Sequence, residues 1–303
     1  MAQNATTGNL ANAQNTIIDA ARFVQQHNSP SWNLIMKLPL PNGASTRRVP
    51  KVGEFTMSDL IDGQDLVDEQ SIGMTTLDFT ATERGGKIIV TDKLVRQNGT
   101  TPIFAMVGRQ FGEGAVRKQE RDTQALYSGL NGGVSFGLVA KKMTLANFAG
   151  AIAKAKGGGV STTTAEGDPK PEPFNPTYAV QHPHATYEVT RTATAIGSGS
   201  KMKVNDKREN RLLNDFFSIR FNGVNLFESG NLDIDSSGDC IGVIAATDAL
   251  LGLESVSWHT ERERDASLRA WELVHSADYG VFELDDTKGA PLTFDATAPS
   301  DSA

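Results

Sequence analysis

The chain has 303 residues, 39% of them hydrophobic, and a formal net charge of -7. Its single cysteine, Cys240, excludes a disulfide within the chain, and no run approaches the roughly 20 apolar residues that span a membrane. The acidic balance argues against a protein that coats nucleic acid through a continuous basic groove, and the N-terminus lacks the basic and apolar regions of a signal peptide. The length predicts about two domains.

Residues 1–46 have the composition of an arm rather than of a domain. Asn, Gln, Thr, Ser and Ala predominate, and Pro30, Pro39 and Pro41 divide the second half into short pieces. A disordered terminus is one interpretation. The embedded Trp32 and Ile35 favour the other, an extended arm that docks on a protein surface.

Residues 47–92 predict a long β-hairpin. Leu77 and Phe79 alternate with polar residues, the period of two typical of a strand, and an acidic turn from Asp59 to Gln70 separates this strand from the preceding one. A hairpin of two strands is marginal alone and needs a partner surface. We therefore expect Leu77 and Phe79 to lack a partner within the chain and to be covered by another copy of it.

The acidic turn also carries four apolar residues. Leu60, Ile61, Leu66 and Val67 lie among five acidic residues. An apolar centre with a charged rim is typical of protein interfaces. The sequence therefore predicts assembly contacts at these four positions.

A long helix is predicted over residues 102–130. Thr101 is placed as its N-cap and Pro102 as its first residue, and the sequence after Leu130 predicts its end. Glycines at 108, 112 and 114 cost about 1 kcal/mol each relative to Ala, which indicates either a close backbone approach or the tolerance of a weak helix. Its charged side, from Arg109 to Arg121, is expected to be solvated, with basic and acidic residues interspersed.

The remaining pattern mixes helices and strands, so the predicted fold class is α+β. Residues 145–156 predict an amphipathic helix, residues 160–176 a surface insertion, and residues 178–180 a strand that leads into a helix. Asn222 and Gly223 between apolar runs predict a hairpin turn. Strands near 256–258, 268–274 and 279–284 predict a closing antiparallel meander.

Two candidate metal motifs are incomplete. Asp233 and Asp235 match the first half of a calcium loop, but Ile244 stands where the bidentate Glu belongs, so a polar hairpin turn explains them better. His182 and His184 could ligate a metal, but the other histidines and Cys240 are not at ligand spacing.

The catalytic motifs are also incomplete. Residues 197–202 resemble a phosphate loop only superficially, since Met202 replaces the Ser or Thr that binds magnesium. A Gly-x-Ser-x-Gly elbow is absent from the sequence, and Cys240 lies in an apolar stretch typical of a buried small side chain. No catalytic, cofactor-binding or metal-binding residue is therefore assigned, no cofactor is predicted, and the chain is not expected to be an enzyme.

The order of these elements resembles the major capsid proteins of tailed bacteriophages, whose Hong Kong phage capsid fold is shared with encapsulins and the floor of herpesvirus capsids. Each motif is short, and their order and spacing carry the resemblance. The matching segments are residues 91–97, residues 111–130 with Arg121 and Asp122, residues 180–183, residues 221–224 and residues 278–281.

The resemblance implies a domain organisation. Residues 1–46 would be an N-terminal arm and residues 47–92 an extended loop laid across the adjacent subunit. Residues 93–142 and 257–303 would form the peripheral domain with its spine helix at 102–130. Residues 143–256 would form the axial domain around the fivefold and sixfold axes.

The resemblance also implies a function. The chain would assemble as hexamers and pentamers into an icosahedral shell enclosing the double-stranded DNA of a tailed phage, which it would surround without specific binding. It would form the virion capsid after assembly in the bacterial cytoplasm, with no membrane involved. The implied partners are copies of itself, a separate scaffolding protein, a portal and, as a further candidate, a decoration protein.

Two alternative functions remain open, and the sequence departs from the family's pattern at one place. An encapsulin-type protein compartment would use the same fold, and a metal-dependent hydrolase using His182, His184, Asp233 and Asp235 is a remote alternative from another class. Some relatives crosslink a loop lysine to an asparagine of a neighbour. Residues 59–70 contain no lysine, so covalent crosslinks of that kind are not expected.

Overall fold

The structure is a computed structural model that describes residues 30–41, 44–52, 74–98, 100–157, 174–197 and 219–299. Within these residues, its elements are five α-helices, two 3-10 turns and eleven strands in three sheets. In chain order they are α1 (Pro30–Leu34), β1 (Met36–Pro39), β2 (Thr46–Val52), β3 (Met74–Thr80), β4 (Thr82–Thr91), α2 (Asp92–Asn98), α3 (Thr100–Gln124), a 3-10 turn (Leu130–Gly133), α4 (Leu145–Gly157), β5 (Tyr178–Gln181), α5 (Pro183–Gly197), β6 (Ile219–Phe221), β7 (Val224–Glu228), β8 (Asp239–Ala245), β9 (Leu250–Asp265), β10 (Ala270–Glu283), a second 3-10 turn (Asp286–Lys288) and β11 (Gly289–Asp295).

The first sheet has the strand order β1-β9-β10-β4. β9 and β10 form a long antiparallel pair, β4 pairs antiparallel with β10, and β1 pairs parallel with β9. The long helix α3, called here the spine helix, packs on one face of this sheet. Its buried residues Ile103, Val107 and Phe111 contact Val90 and Leu273 in one apolar cluster.

The second sheet has the order β11-β8-β5-β7-β6 and contributes to the largest core of the molecule. Phe148 and Ile152 of α4 are buried in this core together with strand residues such as Val243 and Phe294. The predicted helix at 145–156 and the strand at 178–180 are confirmed.

The turn between β6 and β7 is the hairpin turn that the sequence predicts. Asn222 and Gly223 both have positive φ, 49° and 94°. Two consecutive residues of this kind match the right-handed twist of the flanking strands, which is why an Asn-Gly pair is favoured there.

The third sheet is the two-stranded hairpin of β2 and β3, paired antiparallel from Thr46 with Thr80 to Val52 with Met74. The predicted hairpin is therefore confirmed in its described part. The predicted second strand, however, does not continue unbroken to residue 92. It is interrupted at Ala81: β3 ends at Thr80, and β4, which begins at Thr82, joins the first sheet because its residues pair with β10.

The predicted bounds of the spine helix, 102–130, are wrong at both ends. The helix begins at Thr100, so Thr101 and Pro102 lie inside its first turn. After Gln124 the backbone tightens. The N–H groups of Leu126 and Tyr127 bond to carbonyl groups three residues back, at 3.3 and 3.0 Å. This tighter winding turns the Tyr127 side chain into the core, where it is 1% exposed.

The C-terminal strands are longer than predicted and serve both large sheets. β9 has 16 residues and crosses position 256, the predicted limit of the axial domain. β11 lies within the predicted peripheral range 257–303, but it pairs with β8 in the second sheet. The domain ranges themselves stay a prediction.

Two further segments lie in the core. The prediction that the arm docks on a protein surface is confirmed for its described part, since Trp32 and Ile35 are 5% and 4% exposed. The predicted surface insertion at 160–176 is wrong at its end, because Phe174 is buried and its ring stacks on that of Phe136 at 6.3 Å. Residues 160–173 of the insertion lie outside the described residues.

Candidate assembly surface

The base of the β2–β3 hairpin is anchored on the first sheet. Phe79 is 5% exposed, and its ring lies 5.1 Å from that of Phe282, with Leu251 and Leu253 in the same cluster. Leu77 packs against this cluster as well. The expectation that Leu77 and Phe79 lack a partner within the chain is therefore wrong. The chain turns at Ala81 and lays the hairpin base over the end of β9 and β10, a contact between residues about 200 positions apart.

The outer part of the hairpin is exposed. Met74, at the outer end of β3, is 68% exposed, and residues 75 and 76 beside it are exposed as well. Within the described residues the hairpin has no third strand, so both outer backbone edges are available for pairing. The Arg48 guanidinium donates to both oxygens of Asp78 at 2.6 and 2.9 Å and holds the pKa of that carboxyl below its usual value. The hairpin is thus a two-stranded ribbon whose apolar anchor lies at its base.

A second contact fixes the hairpin laterally. The Lys51 ammonium donates to Asp285 Oδ1 at 2.9 Å, which joins β2 to the turn after β10. Burial raises the pKa of Asp285, but hydrogen bonds from Lys51 and Thr287 outweigh that effect and the pKa lies below its usual value.

The four predicted assembly residues, Leu60, Ile61, Leu66 and Val67, fall in residues 53–73, which lie outside the described residues. Their assignment stays a prediction. Of this segment's surroundings, the structure gives the two strands that lead into it and out of it, β2 and β3.

One residue expected on the solvated side of the spine helix is buried. Glu120 is 0% exposed, and its carboxylate accepts hydrogen bonds from the hydroxyl of Ser31 at 2.6 Å and that of Ser229 at 2.8 Å. The backbone N–H of Ser31 and the amide of Gln124 donate to it as well, at 3.2 and 2.9 Å. Burial raises the pKa of Glu120, and these four bonds oppose that shift. The carboxylate joins the arm, the spine helix and the end of β7.

A second polar cluster joins the spine helix to the first sheet. Asp122 forms ion pairs with Arg84 of β4 and with Lys118 one helical turn earlier. The hydroxyl of Tyr279 donates to Asp122 at 2.9 Å, and the Arg84 guanidinium lies 5.1 Å from the centre of the Tyr279 ring. Asp122 is therefore turned towards the sheet, where it satisfies three donors.

A line of stacked rings crosses the interface between the spine helix and the sheet. His275 lies between Phe111 and Trp258, with ring centroids 5.2 and 4.9 Å away and planes within 16°. The ring of Tyr279 follows, with its centroid 5.9 Å from that of Trp258 and 5.5 Å from that of Trp32 in the arm. Burial lowers the pKa of His275 to about 4, so its imidazole is neutral at physiological pH.

The two histidines considered as metal ligands make contacts with the backbone around them instead. The rings of His182 and His184 lie 4.6 Å apart, but His182 Nδ1 accepts the backbone N–H of His184 and His184 Nδ1 contacts the carbonyl of Ala296. The Asp235 carboxylate accepts the N–H groups of two residues in its own turn. In the part of the chain that the structure describes, no group of three potential ligands is close enough to hold a metal ion.

Cys240 is buried, as its apolar surroundings predict, and burial raises the pKa of its thiol to about 12. Such a thiol is unreactive at neutral pH, because the thiolate is the nucleophilic form. No described helix is both long enough and apolar enough to cross a membrane.

Comparison with known proteins identifies the fold. No family model matches the chain, and no curated protein matches it by sequence. Solved structures do match. The head structure of Helicobacter pylori bacteriophage KHP40 has a TM-score of 0.62 at 10% identity, over 89% of this chain and 91% of that one. The capsid of cyanophage P-SCSP1u has a TM-score of 0.58 at 13% identity, over 86% of each chain.

An encapsulin matches over a similar extent. The chain from the holo-SrpI encapsulin complex of Synechococcus elongatus has a TM-score of 0.57 at 13% identity, over 92% of each chain. The fold is therefore that of a shell protein of the phage capsid class. More particularly, it is the Hong Kong phage capsid fold that the order of motifs predicts, with the hairpin, the spine helix and the two sheets as its parts.

Proposed function

We propose that this chain is a major capsid protein. Copies of it assemble as hexamers and pentamers into an icosahedral shell that encloses the double-stranded DNA of a tailed phage. The observation that carries the proposal is the β2–β3 hairpin, which is anchored at Phe79 and exposed at Met74 on a fold whose solved relatives include phage heads and capsids. A ribbon of this kind gains a covering surface when a second subunit lies beside it.

The loop between β2 and β3 supplies the contact in this proposal. Leu60, Ile61, Leu66 and Val67 would be buried against a neighbouring subunit, with the surrounding acidic residues forming a hydrated rim. Each contact is modest, and the stability of the shell comes from their repetition over the lattice. The chain would act as a structural protein of the virion capsid and not as an enzyme.

The partners follow from this role. Subunits would assemble in the bacterial cytoplasm on a separate scaffolding protein and around a portal, and a decoration protein is a further candidate partner. The absence of lysine from residues 59–70 favours a shell without covalent crosslinks through that loop.

Replacing the apolar pair at the loop tip tests the proposal. In the double variant Leu60→Ser and Ile61→Ser the subunit should keep its circular dichroism spectrum, because the tip lies outside the subunit core in this account. Shell formation, followed by sedimentation, should be lost or strongly reduced. The double variant Gln64→Ser and Gln70→Ser is the matched control and should assemble normally. Loss of the folded spectrum in the Leu60/Ile61 variant would show that the tip belongs to the core.

A second candidate is an encapsulin-type shell that encloses protein instead of DNA. The match to the encapsulin chain over 92% of both sequences favours it. Absorbance of purified particles separates the two candidates. A shell filled with DNA absorbs more strongly at 260 than at 280 nm and loses that excess after disruption and nuclease treatment, whereas a protein compartment has the absorbance of protein alone.

A further inference from the structure

The exposed side of the spine helix forms one continuous stripe. Its exposed positions recur every three or four residues, so they lie on one face of the helix. The members of the stripe are Met106, Arg109, Gln110, Glu113, Gly114, Arg117, Lys118 and Arg121.

On this helix, more acidic than basic side chains are removed from the exposed surface. The segment 109–122 contains four basic and three acidic residues, which is close to balance. Two of the three carboxylates leave the surface, however. Glu120 is fully buried in its four hydrogen bonds, and the Asp122 side chain is 15% exposed and turned to Arg84 and Tyr279. Only Glu113 remains on the stripe beside the four basic residues.

The basic residues of the stripe are open to a partner. Neither Arg109 nor Arg117 forms an ion pair with any described residue, and Arg121 makes only a 3.6 Å contact with the exposed Asp233. Lys118 is paired with Asp122 and is half exposed. In the centre, a Cβ added at Gly114 would meet nothing within 4 Å, so nothing in the described chain requires glycine there.

We infer that this stripe contacts the phosphate backbone of duplex nucleic acid without reading its sequence. From Arg109 to Arg121 the helix spans about 18 Å, so it presents its basic side chains along a length of duplex that carries about ten phosphate charges, or about five base pairs. Three of them are guanidinium groups, which suit phosphate oxygens. Gly114 leaves the centre of the stripe without a side chain, which allows a close approach.

The inference rests on the proposed function for the presence of DNA, and it corrects the sequence argument at one place. The expectation of no continuous basic surface rested on the acidic balance of the chain and on carboxylates interspersed along the spine helix, and two of these carboxylates are turned inwards. The chain remains acidic elsewhere, so the contact should be weak and sensitive to salt, which agrees with DNA that is enclosed without specific binding.

The test is titration of the purified unassembled full-length chain against a fluorescent 20-base-pair duplex, by anisotropy, at a series of salt concentrations. The wild type should bind with a Kd in the non-specific range of about 10⁻⁴ to 10⁻⁶ M. The variant Arg109→Gln with Arg117→Gln should bind at least about tenfold more weakly, and its slope of log affinity against log salt should be shallower by about 2. Both positions are exposed and Gln is a good helix former, so the fold should be retained.

A matched variant removes the same charge elsewhere. Lys141→Gln with Arg220→Gln neutralises two exposed basic residues outside the spine helix and should leave affinity and slope nearly unchanged. Equal losses in the two variants, or a wild type that does not bind duplex, would overturn the inference. Binding of polyglutamate but not of duplex would assign the stripe to an acidic protein and would overturn it as well. Normal shells with an unchanged duplex affinity in the Arg109/Arg117 variant would contradict this inference alone, whereas failure of the wild-type chain to form shells would contradict the proposed function.

Discussion

At the scale of single residues, buried polar groups join the parts of this subunit. Glu120 accepts hydrogen bonds from Ser31 of the arm and from Ser229 after β7, so one carboxylate joins three segments that are distant in sequence. An acceptor buried with several donors is costly to remove, because each donor would then be left without a partner. These residues therefore set the positions of the arm and the second sheet relative to the spine helix.

His275 makes the stability of the subunit dependent on pH. The folded chain holds the imidazole neutral, with a pKa lowered to about 4, while the unfolded chain binds a proton below about pH 6.5. The contribution is therefore complete above pH 6.5 and is lost as the pH falls towards 4, by about 3 kcal/mol in total. The imidazole faces Phe111, Trp258 and Thr260. The neighbouring titratable residue that influences its pKa is His259 on β9.

The variant His275→Phe tests this dependence, because it keeps a ring in the stack and cannot be protonated. The free energy of unfolding, measured by urea denaturation between pH 7 and 4, should fall less steeply in this variant than in the wild type. His259→Phe is the control, since that imidazole is partly exposed, and it should retain the steep wild-type dependence. An unchanged slope in the His275 variant would contradict the assignment.

Glycine 114 is predicted to lower the stability of the isolated subunit. Its added Cβ would meet no atom, so Gly114→Ala should raise the free energy of unfolding by about 0.5 to 1 kcal/mol through helix propensity alone. Gly85→Ala is the contrasting variant. Its Cβ would lie 2.8 Å from the carbonyl oxygen of His275, so it should be destabilising. Urea denaturation of both variants measures the difference, and a destabilised Gly114→Ala variant would show a packing constraint that the structure does not contain.

At the scale of elements, the β2–β3 hairpin forms a sheet of its own, with no third strand among the described residues. Its base is held by the aromatic contact of Phe79 with Phe282, and near its outer described end, where Met74 is exposed, the Lys51–Asp285 ion pair makes a second contact. Since the anchor is apolar and buried, it should dominate over the ion pair, whose partly exposed groups contribute little.

Phe79→Ala should therefore release the hairpin. The lost burial and the cavity left behind should destabilise the subunit by about 3 kcal/mol and increase protease cleavage within residues 46–80. Met74→Ala, at the exposed end of the same strand, should change stability by less than about 0.5 kcal/mol. Urea denaturation with limited proteolysis measures both effects. Equal stability of the two variants would show that the hairpin is not anchored at Phe79.

Sequence patterns predicted those elements that are determined by residues close together in the chain. The Asn222–Gly223 turn and helix α4 follow from turn chemistry and from helical periodicity. The burial of Glu120 also had a signal, because it lies four residues after Val116 and one residue after Gln119 on the buried stripe of the spine helix. Its charge argued for the surface, and only the donors Ser31 and Ser229, distant in sequence, explain why it is buried.

At the scale of the whole molecule, the contacts that sequence patterns missed are those between distant segments. β1 pairs with β9 more than 200 residues later, and β11 returns to the second sheet beside β8. The anchoring of Phe79 on Phe282 is of the same kind. Periodicity shows that a strand has an apolar face but not which surface covers it, so the hairpin base was assigned to a neighbour when the chain itself covers it.

The central claim is that this chain forms shells, and electron microscopy of the purified full-length chain together with analytical sedimentation tests it most directly. At tens of micromolar, as an order of magnitude, the chain should sediment as pentamers, hexamers or closed particles, because the outer hairpin is stabilised when a second subunit covers it. Micrographs should show round shells of uniform size. A monodisperse monomer at that concentration, with no particles in the micrographs, would contradict the account.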